Sequence, residues 1–240
     1  MTLPSAVVHT VTAVFPCYND EPTIEGLVDT AHRALAPLVD SIEVVVVNDG
    51  SQDGSRQLLD GMTATRPWLV VVHHERNRGY GGALMTGFEA ARHDWIFYTD
   101  GDAQYDPAQA ADLVAVATAD IDVVQGYKVG RGDGLHRKVI GRIYHHVVRT
   151  LFGLRIRDTD CDFRLFRRSL IVERPLTSTS GVICVEMMYS FRRAGARFVE
   201  VPVSHYFRPH GSSQFFRLPA IARSARQLVA LWWNLVVRRR

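Results

Sequence analysis

The chain has 240 residues, 47% hydrophobic and 22% charged, which suits one large α/β domain with a true core and excludes a disordered or collagen-like polypeptide. Cys17, Cys161 and Cys184 have no CxxC spacing, so neither a disulfide framework nor a cysteine zinc site is expected, and a reducing compartment is the default. The formal net charge of +3 conceals an asymmetry: residues 1–125 hold 18 acidic against 6 basic side chains, residues 126–168 hold 4 against 11, and residues 217–240 hold none against 6. An acidic first half joined to a basic second half argues against a uniformly cationic nucleic-acid binder, and no nucleic-acid partner is expected.

Met1 to Thr12 is too short and mixed for a secretory signal. Val11 to Phe15 is a β-rich run that ends at Pro16, and a helix is expected over Thr23–Leu38. Ile42 to Val47 is nearly all β-branched, the pattern of a strand buried on both faces of a parallel sheet, and it stops at the turn-forming Asn48-Asp49-Gly50-Ser51. A helix (Ser55–Thr65), a strand (Trp68–His73), a helix (Gly82–Arg92), a strand (Trp95–Tyr98), a helix opened by Pro107 and a strand (Asp122–Tyr127) follow. This alternation predicts right-handed βαβ crossovers and a mostly parallel sheet, with the ligand crevice at the carboxyl ends of its strands. Beyond Gly126 the pattern is less regular: a basic helix over Arg137–Leu151, a short region around Asp158–Phe166, a helix near Glu186–Ala194 and a strand near Phe198–Val203. No linker marks a second domain, so one domain over residues 1–216 with a basic amphipathic helix over residues 217–240 is expected.

Polar motifs gather at the expected strand ends. In Asp100-Gly101-Asp102-Ala103-Gln104 two carboxylates straddle a glycine, and such a pair can hold a hard divalent cation while leaving coordination positions for phosphate oxygens. Asp49 can accept hydrogen bonds from a base or ribose, and Tyr18 offers an aromatic face, while Ser51 or Asp53 can instead cap the next helix. Asn77-Arg78-Gly79-Tyr80-Gly81-Gly82-Ala83 is a glycine-rich turn whose free N–H groups and Arg78 could face a phosphate. It is no dinucleotide fingerprint, because Leu84 stands where a third glycine is needed.

Taken in order, the Pro-x-Tyr-Asn-x-Glu opening (Pro16 to Glu21), the Asn-Asp-Gly-Ser-x-Asp-Gly-Ser block (Asn48 to Ser55), the glycine-rich turn and the Asp-x-Asp-x-Gln segment resemble the family 2 glycosyltransferases of GT-A fold, above all the dolichol- and polyprenol-phosphate sugar synthases. The likeness covers roughly residues 10–215. It implies a Rossmann-like, mostly parallel sheet flanked by helices. It implies an inverting transfer of a sugar from a nucleotide-diphosphate donor of UDP-glucose or GDP-mannose type to polyprenyl or dolichyl phosphate. A glycan or other soluble hydroxyl acceptor, and a catalytically silent nucleotide-sugar-binding protein, are the alternatives. By the resemblance Pro16, Tyr18, Glu21, Asp49, Arg78 and Gly79 line the donor, and Asp100, Asp102 and Gln104 surround Mg2+ or Mn2+. Asp158-Thr159-Asp160-Cys161-Asp162-Phe163-Arg164 resembles the family's Asp-x-x-x-Gly-Phe-Arg stretch, with Asp162 in place of glycine. That departure leaves the base between Asp158 and Asp160, with Asp162 a partner of Arg164 or Arg167. Glu186 aligns with a family glutamate near the acceptor end, or else serves as a first-turn helix acid.

Arg208-Pro209-His210-Gly211-Ser212-Ser213-Gln214 resembles a segment that closes over the donor diphosphate, so Arg208, Ser212 and Gln214 are expected at the donor, Gln214 replacing the usual lysine. Lys128, Arg131, Arg137 and Arg142 are the cations expected at an acceptor phosphate. The histidine pairs His73-His74 and His145-His146 lack metal-ligand spacing and are expected at polar surface or interface positions. Leu228 to Val237 is too short to span a bilayer by itself. With Arg238-Arg239-Arg240 it suits an anionic membrane surface, or alternatively docks on the protein's own core or on a second copy in a homo-oligomer. The expected location is the cytoplasmic, inner face of the cell membrane.

Overall fold

The computed structural model describes residues 7–130, 135–210 and 218–238, with the backbone alone for residues 135–140 and 218–221. Strand and helix alternate through the first half: β1 (Thr10–Cys17), α1 (Glu21–Leu35), β2 (Ser41–Asn48), α2 (Ser55–Thr63), β3 (Leu69–His73), α3 (Tyr80–Ala90) and β4 (Trp95–Thr99). A 3-10 turn (Pro107–Gln109) then leads into α4 (Ala110–Val116), β5 (Val123–Val129) and α5 (Leu135–Phe152). The second half adds β6 (Phe163–Arg167), the short α6 (Ser169–Val172), α7 (Ile183–Arg193), β7 (Phe198–Ser204) and α8 (Leu218–Trp232), which continues as a π turn (Trp233–Val237). One seven-stranded sheet results, in the order β3-β2-β1-β4-β6-β5-β7. Among the described residues only β6 runs antiparallel to its neighbours, so the sheet is mostly parallel and GT-A-like.

The β-branched run of β2 shows why both faces of the sheet are covered. Val44 and Val46 enter a layer with Ile24, Leu27 and Leu59 from α1 and α2. Val45 and Val47 enter the opposite layer with Leu84, Phe88 and Met187 from α3 and α7. Each such side chain contributes roughly 1.5–3 kcal/mol on burial. Leu228 and Leu231 of α8 are buried in this second layer, and the Tyr189 hydroxyl of α7 donates to the Leu235 carbonyl at 3.2 Å. One stripe of the C-terminal helix therefore docks on the protein's own core, while Val229, Trp233 and Val237 remain exposed.

The strand β6 is the element that periodicity did not reveal. Its sequence, Phe-Arg-Leu-Phe-Arg, puts a charged residue on a face expected to be apolar, because Arg164 has no exposed surface at all. In register it lies beside Tyr98 of β4 and Gln125 of β5. Its guanidinium donates to the Tyr98 hydroxyl, to Gln125 Oε1 and, at 2.6 Å, to the Thr159 carbonyl. Gln125 in turn donates through Nε2 to the carbonyls of Asp158 (3.3 Å) and Cys161 (3.1 Å). Two buried side chains thus hold the aspartate-bearing loop 158–162 from beneath.

Gln125→Leu, close in volume, would leave these carbonyls and one guanidinium N–H unpaired in the core. A loss of about 3 kcal/mol or more in chemical denaturation is expected, with an unchanged denaturant slope; an unaltered midpoint would contradict this account of the loop.

Candidate functional site

The loops after β1 and β2 are stitched together at the carboxyl edge of the sheet. Asn19, held at φ +57°, donates through its N–H to Ser51 Oγ at 3.0 Å and accepts from Gln52 N–H at 2.7 Å. Glu21 N–H donates to Asp53 Oδ2 at 3.1 Å, and Gly54 N–H donates to Glu21 Oε2 at 3.0 Å. Asp53 also accepts from Ser55 N–H at 3.0 Å, so it braces the starts of both α1 and α2, but the N-cap position of α2 is Gly54, without a side-chain cap, in place of the expected Ser51 or Asp53. A cavity of about 460 Å³ opens here, lined by Asn19, Glu21, Pro22, Gln52, Asp53 and His210. Tyr18 is exposed beside it, and Pro16 lies beyond the stretch of β1 that pairs with β4.

Asp49 has a different surrounding from the one its motif suggests. It is buried, and its carboxylate accepts from Arg78 N–H (2.8 Å) and Gly79 N–H (3.0 Å), with His74 Nδ1 at 2.6 Å. Gly81 N–H donates to the Thr179 carbonyl at 3.0 Å. The N–H groups of Arg78, Gly79 and Gly81 are therefore satisfied internally rather than turned free toward a phosphate, which corrects that part of the expectation. Glycine is required at 81 because a Cβ there would lie 2.1 Å from the Ser178 carbonyl. The opposing loop is fixed by Glu186, buried, which accepts from Thr177 N–H (3.0 Å), Thr177 Oγ1 (2.7 Å) and Ser178 N–H (2.8 Å). His74 is also a correction: it is buried within the fold, with Nε2 2.9 Å from Thr86 Oγ1, whereas the sequence reading expected a polar surface or interface position. His73 bridges Asn48 and Asp60.

Carboxylates crowd at the ends of β4 and β6. Tyr80, at the start of α3, donates its hydroxyl to Asp100 Oδ1 at 2.6 Å. Burial, with Asp162 and Asp102 alongside, raises the Asp100 carboxyl well above the ordinary carboxylate range. Burial likewise pushes Asp162 up to about 6, with Asp158 and Asp102 adding to the shift. Asp20 is also pushed up to about 6, again by burial and then by Asp102; its Oδ2 sits 3.2 Å from where a Cβ on Gly101 would stand. That same Cβ would lie 2.7 Å from the Pro16 carbonyl, so only glycine fits between the two aspartates. Ala103 closes the turn at φ +58°, an uncommon conformation for a residue with a side chain.

Arg208 approaches from the segment after β7 and forms an ion pair with Asp102 Oδ2. Gln104 supports that segment: its Nε2 donates to the Tyr206 carbonyl at 3.1 Å, and its carbonyl accepts from Tyr206 N–H at 2.8 Å. Its amide nitrogen is thus engaged away from Asp100. Asp158 is buried, accepting from Lys128 N–H at 3.3 Å and Asp160 N–H at 3.1 Å. Lys128 Nζ donates to the Asp160 carbonyl at 2.5 Å; burial opposes its charge, but Asp158, Asp160 and Asp162 around it hold the ammonium above its usual value. Arg142 is exposed on α5. Arg131, Ser212 and Gln214 lie outside the described residues, as does the side chain of Arg137.

Sequence thus leads to Asp100, Asp102, Arg208, Lys128, Asp158 and Asp160 as one neighbourhood, but it missed Asp20, His74 and Tyr80 and undervalued Asp162. Among the described residues no three His, Cys, Asp or Glu side chains form a metal-holding group. Two hard carboxylates on one turn nevertheless suit Mg2+ or Mn2+, because such an ion commonly takes one or two protein carboxylates and completes its shell with substrate phosphates. The three cysteines are free and buried.

Comparison with known proteins gives the family. The family model described as Glycosyl transferase family 2 matches residues 12–174. The undecaprenyl-phosphate 4-deoxy-4-formamido-L-arabinose transferase of Aeromonas hydrophila is 32% identical over 206 residues, 85% of this chain and 62% of that protein. The protein of the same description from Pseudomonas fluorescens is 30% identical over 231 residues, 95% of this chain and 64% of that protein. The chain therefore spans less than two thirds of the length of these curated relatives. In fold it is similar to glucosyl-3-phosphoglycerate synthase from Mycobacterium tuberculosis in complex with Mn2+, UDP and glucosyl-3-phosphoglycerate, with a TM-score of 0.70 and 22% identity over 94% of this chain and 79% of that one. On sequence and fold together, the chain belongs to glycosyl transferase family 2.

Proposed function

We propose that this chain is an inverting glycosyltransferase that moves a sugar from a nucleotide-diphosphate donor of UDP-glucose or GDP-mannose type to polyprenyl phosphate. The observation that carries the reading is the group of carboxylates Asp20, Asp100, Asp102 and Asp162, which follow β1 and β4 and precede the antiparallel β6 at one edge of the sheet, answered by Arg208. Such a concentration of negative charge calls for cations, and a donor diphosphate arriving with Mg2+ or Mn2+ supplies one. The acceptor follows the curated relatives, whose descriptions name undecaprenyl phosphate.

In this reading Asp100 and Asp102 hold the divalent ion, with Gln104 bracing the loop. Bound there, the ion would neutralise charge developing on the departing nucleoside diphosphate. Arg208 leaves Asp102 and pairs with the diphosphate, joined by Ser212 and Gln214. Pro16, Tyr18 and Glu21 shape the nucleotide wall, while Asp49 acts by fixing the turn that carries Arg78 and Gly79. Asp158 or Asp160 orients the acceptor oxygen, a light task because a phosphate is already anionic at neutral pH. Lys128, Arg131, Arg137 and Arg142 supply the positive charge toward that phosphate. No helix among the described residues is long and apolar enough to cross a membrane. Exposed Ile143, Val147, Val229, Trp233 and Val237, interspersed with Arg142, Arg149, Arg226 and Arg238, support peripheral contact with an anionic inner membrane face.

The reading is tested by incubating the protein with Mn2+, undecaprenyl phosphate and a panel of radiolabelled nucleotide sugars. Lipid-extractable label is expected with one donor, falling by at least about a hundredfold in Asp102→Asn; label that persists in the variant after chelation would contradict the assigned roles. A second expectation concerns acid stability. A carboxyl raised from 3.8 to about 6 on folding, as Asp20 is, favours the fold when protonated; that contribution is complete below pH 3.8 and lost as pH rises through 6. Asp20→Asn should therefore melt higher than the parent at pH 8 and converge with it near pH 4, by differential scanning calorimetry; a gap that widens toward acid would refute the assignment.

A further inference from the structure

Asp162 stands where the resembling family has glycine, and its surroundings give it a use of its own. The antiparallel register pairs Tyr98 with Arg164 and Thr99 with Phe163; one residue further, Asp162 comes opposite Asp100. Like charges facing each other across a strand pair are unfavourable, so a carboxylate at this place needs compensation. Its Oδ1 receives it from three donors: Cys184 Sγ at 3.0 Å, the Tyr98 hydroxyl at 3.2 Å and Arg164 Nη1 at 3.4 Å. Among the described residues no donor reaches Oδ2, and the side chain is 19% exposed. The carboxylate is therefore clamped by one oxygen, while the other takes no donor among the described residues.

In its ionised form a carboxylate oxygen accepts hydrogen bonds and donates none. A nucleotide sugar brings two kinds of group into this cleft. Its phosphate oxygens are repelled by Asp162 and belong with the cation and Arg208, whereas its sugar offers O–H and amide N–H donors. The anionic acceptor phosphate is repelled as well. On the donor-site reading given above, we infer that Asp162 is a specificity-determining residue whose Oδ2 accepts a hydrogen bond from a hydroxyl or N–H group of the sugar being transferred.

Asp162→Asn tests this sharply. The three donors on Oδ1 keep the amide oxygen facing inward, so the amide NH2 is presented where the open acceptor stood, and the carboxylate facing Asp100 loses its charge. Binding is measured by isothermal titration calorimetry with Mn2+ for UDP, GDP, UDP-glucose, UDP-N-acetylglucosamine and GDP-mannose, with thermal melts to verify folding. For the preferred nucleotide sugar, about a tenfold weakening or more is expected, while the matching nucleoside diphosphate binds equally well or more tightly. Asp162→Gly, which removes the clamp together with the carboxylate, should show the same split and narrow the differences among the sugars. Parallel weakening of sugar nucleotide and diphosphate, or no change in either, would overturn the role of Asp162 and leave the donor site standing. Failure of the unaltered protein to bind any of the five would overturn the donor-site reading and this inference with it.

Discussion

A guanidinium with no exposure to water is costly unless all its donors are answered, and the answer found by Arg164 organises the active edge of this protein. Its partners come from β4, from β5 and from the loop before its own strand. Because Gln125 extends the network to the carbonyls of Asp158 and Cys161, the loop bearing three aspartates is fixed by buried groups on its underside. Insertion of an antiparallel strand between β4 and β5 is what brings Asp162 opposite Asp100.

The site that results is electrostatically unfinished. Asp20, Asp100 and Asp162 all have raised proton affinities, chiefly from burial, with neighbouring carboxylates, Asp102 in each case, adding to the shift. Lys128 attends one side of the cluster and Arg208 the other. On the proposed reading, a cation accompanied by phosphate oxygens would relieve the repulsion and release Arg208 from Asp102. Glu186 and Asp49 sit one layer further out. They hold the Thr177–Ser178 loop and the glycine-rich turn against each other, and Tyr80 extends from that turn to Asp100.

Much of the fold was legible in the sequence, because β-branched runs such as Ile42–Val47 and punctuating motifs such as Asn48–Ser51 carry strong local signals. β6 was not, since its stability depends on a buried Arg164 whose partners lie largely on other strands; Phe-Arg-Leu-Phe-Arg shows no buried-strand pattern until Tyr98 and Gln125 are placed beside it. At the site, Asp100 and Asp102 were legible as a close acidic pair at the end of an expected strand, in a run of motifs that resembles the family's. Asp20 and Tyr80 were not, because proximity to the aspartate pair arises only when β1, α3 and β4 are assembled. Asp49 was found but for a different use, as the turn it braces is distant in sequence. The chain's overall charge of +3 likewise says little, while the placement of a few acidic side chains at adjacent strand ends says a great deal.

The central claim is that this carboxylate cluster is a site for a diphosphate accompanied by a divalent cation. The most direct test is calorimetric titration of UDP and GDP into the protein with Mn2+ and again with a chelator. The account predicts that one nucleotide binds at least about tenfold more tightly when Mn2+ is present, and that Asp102→Asn abolishes the difference. Equal affinity in chelator, or a Mn2+ effect that survives Asp102→Asn, would contradict it.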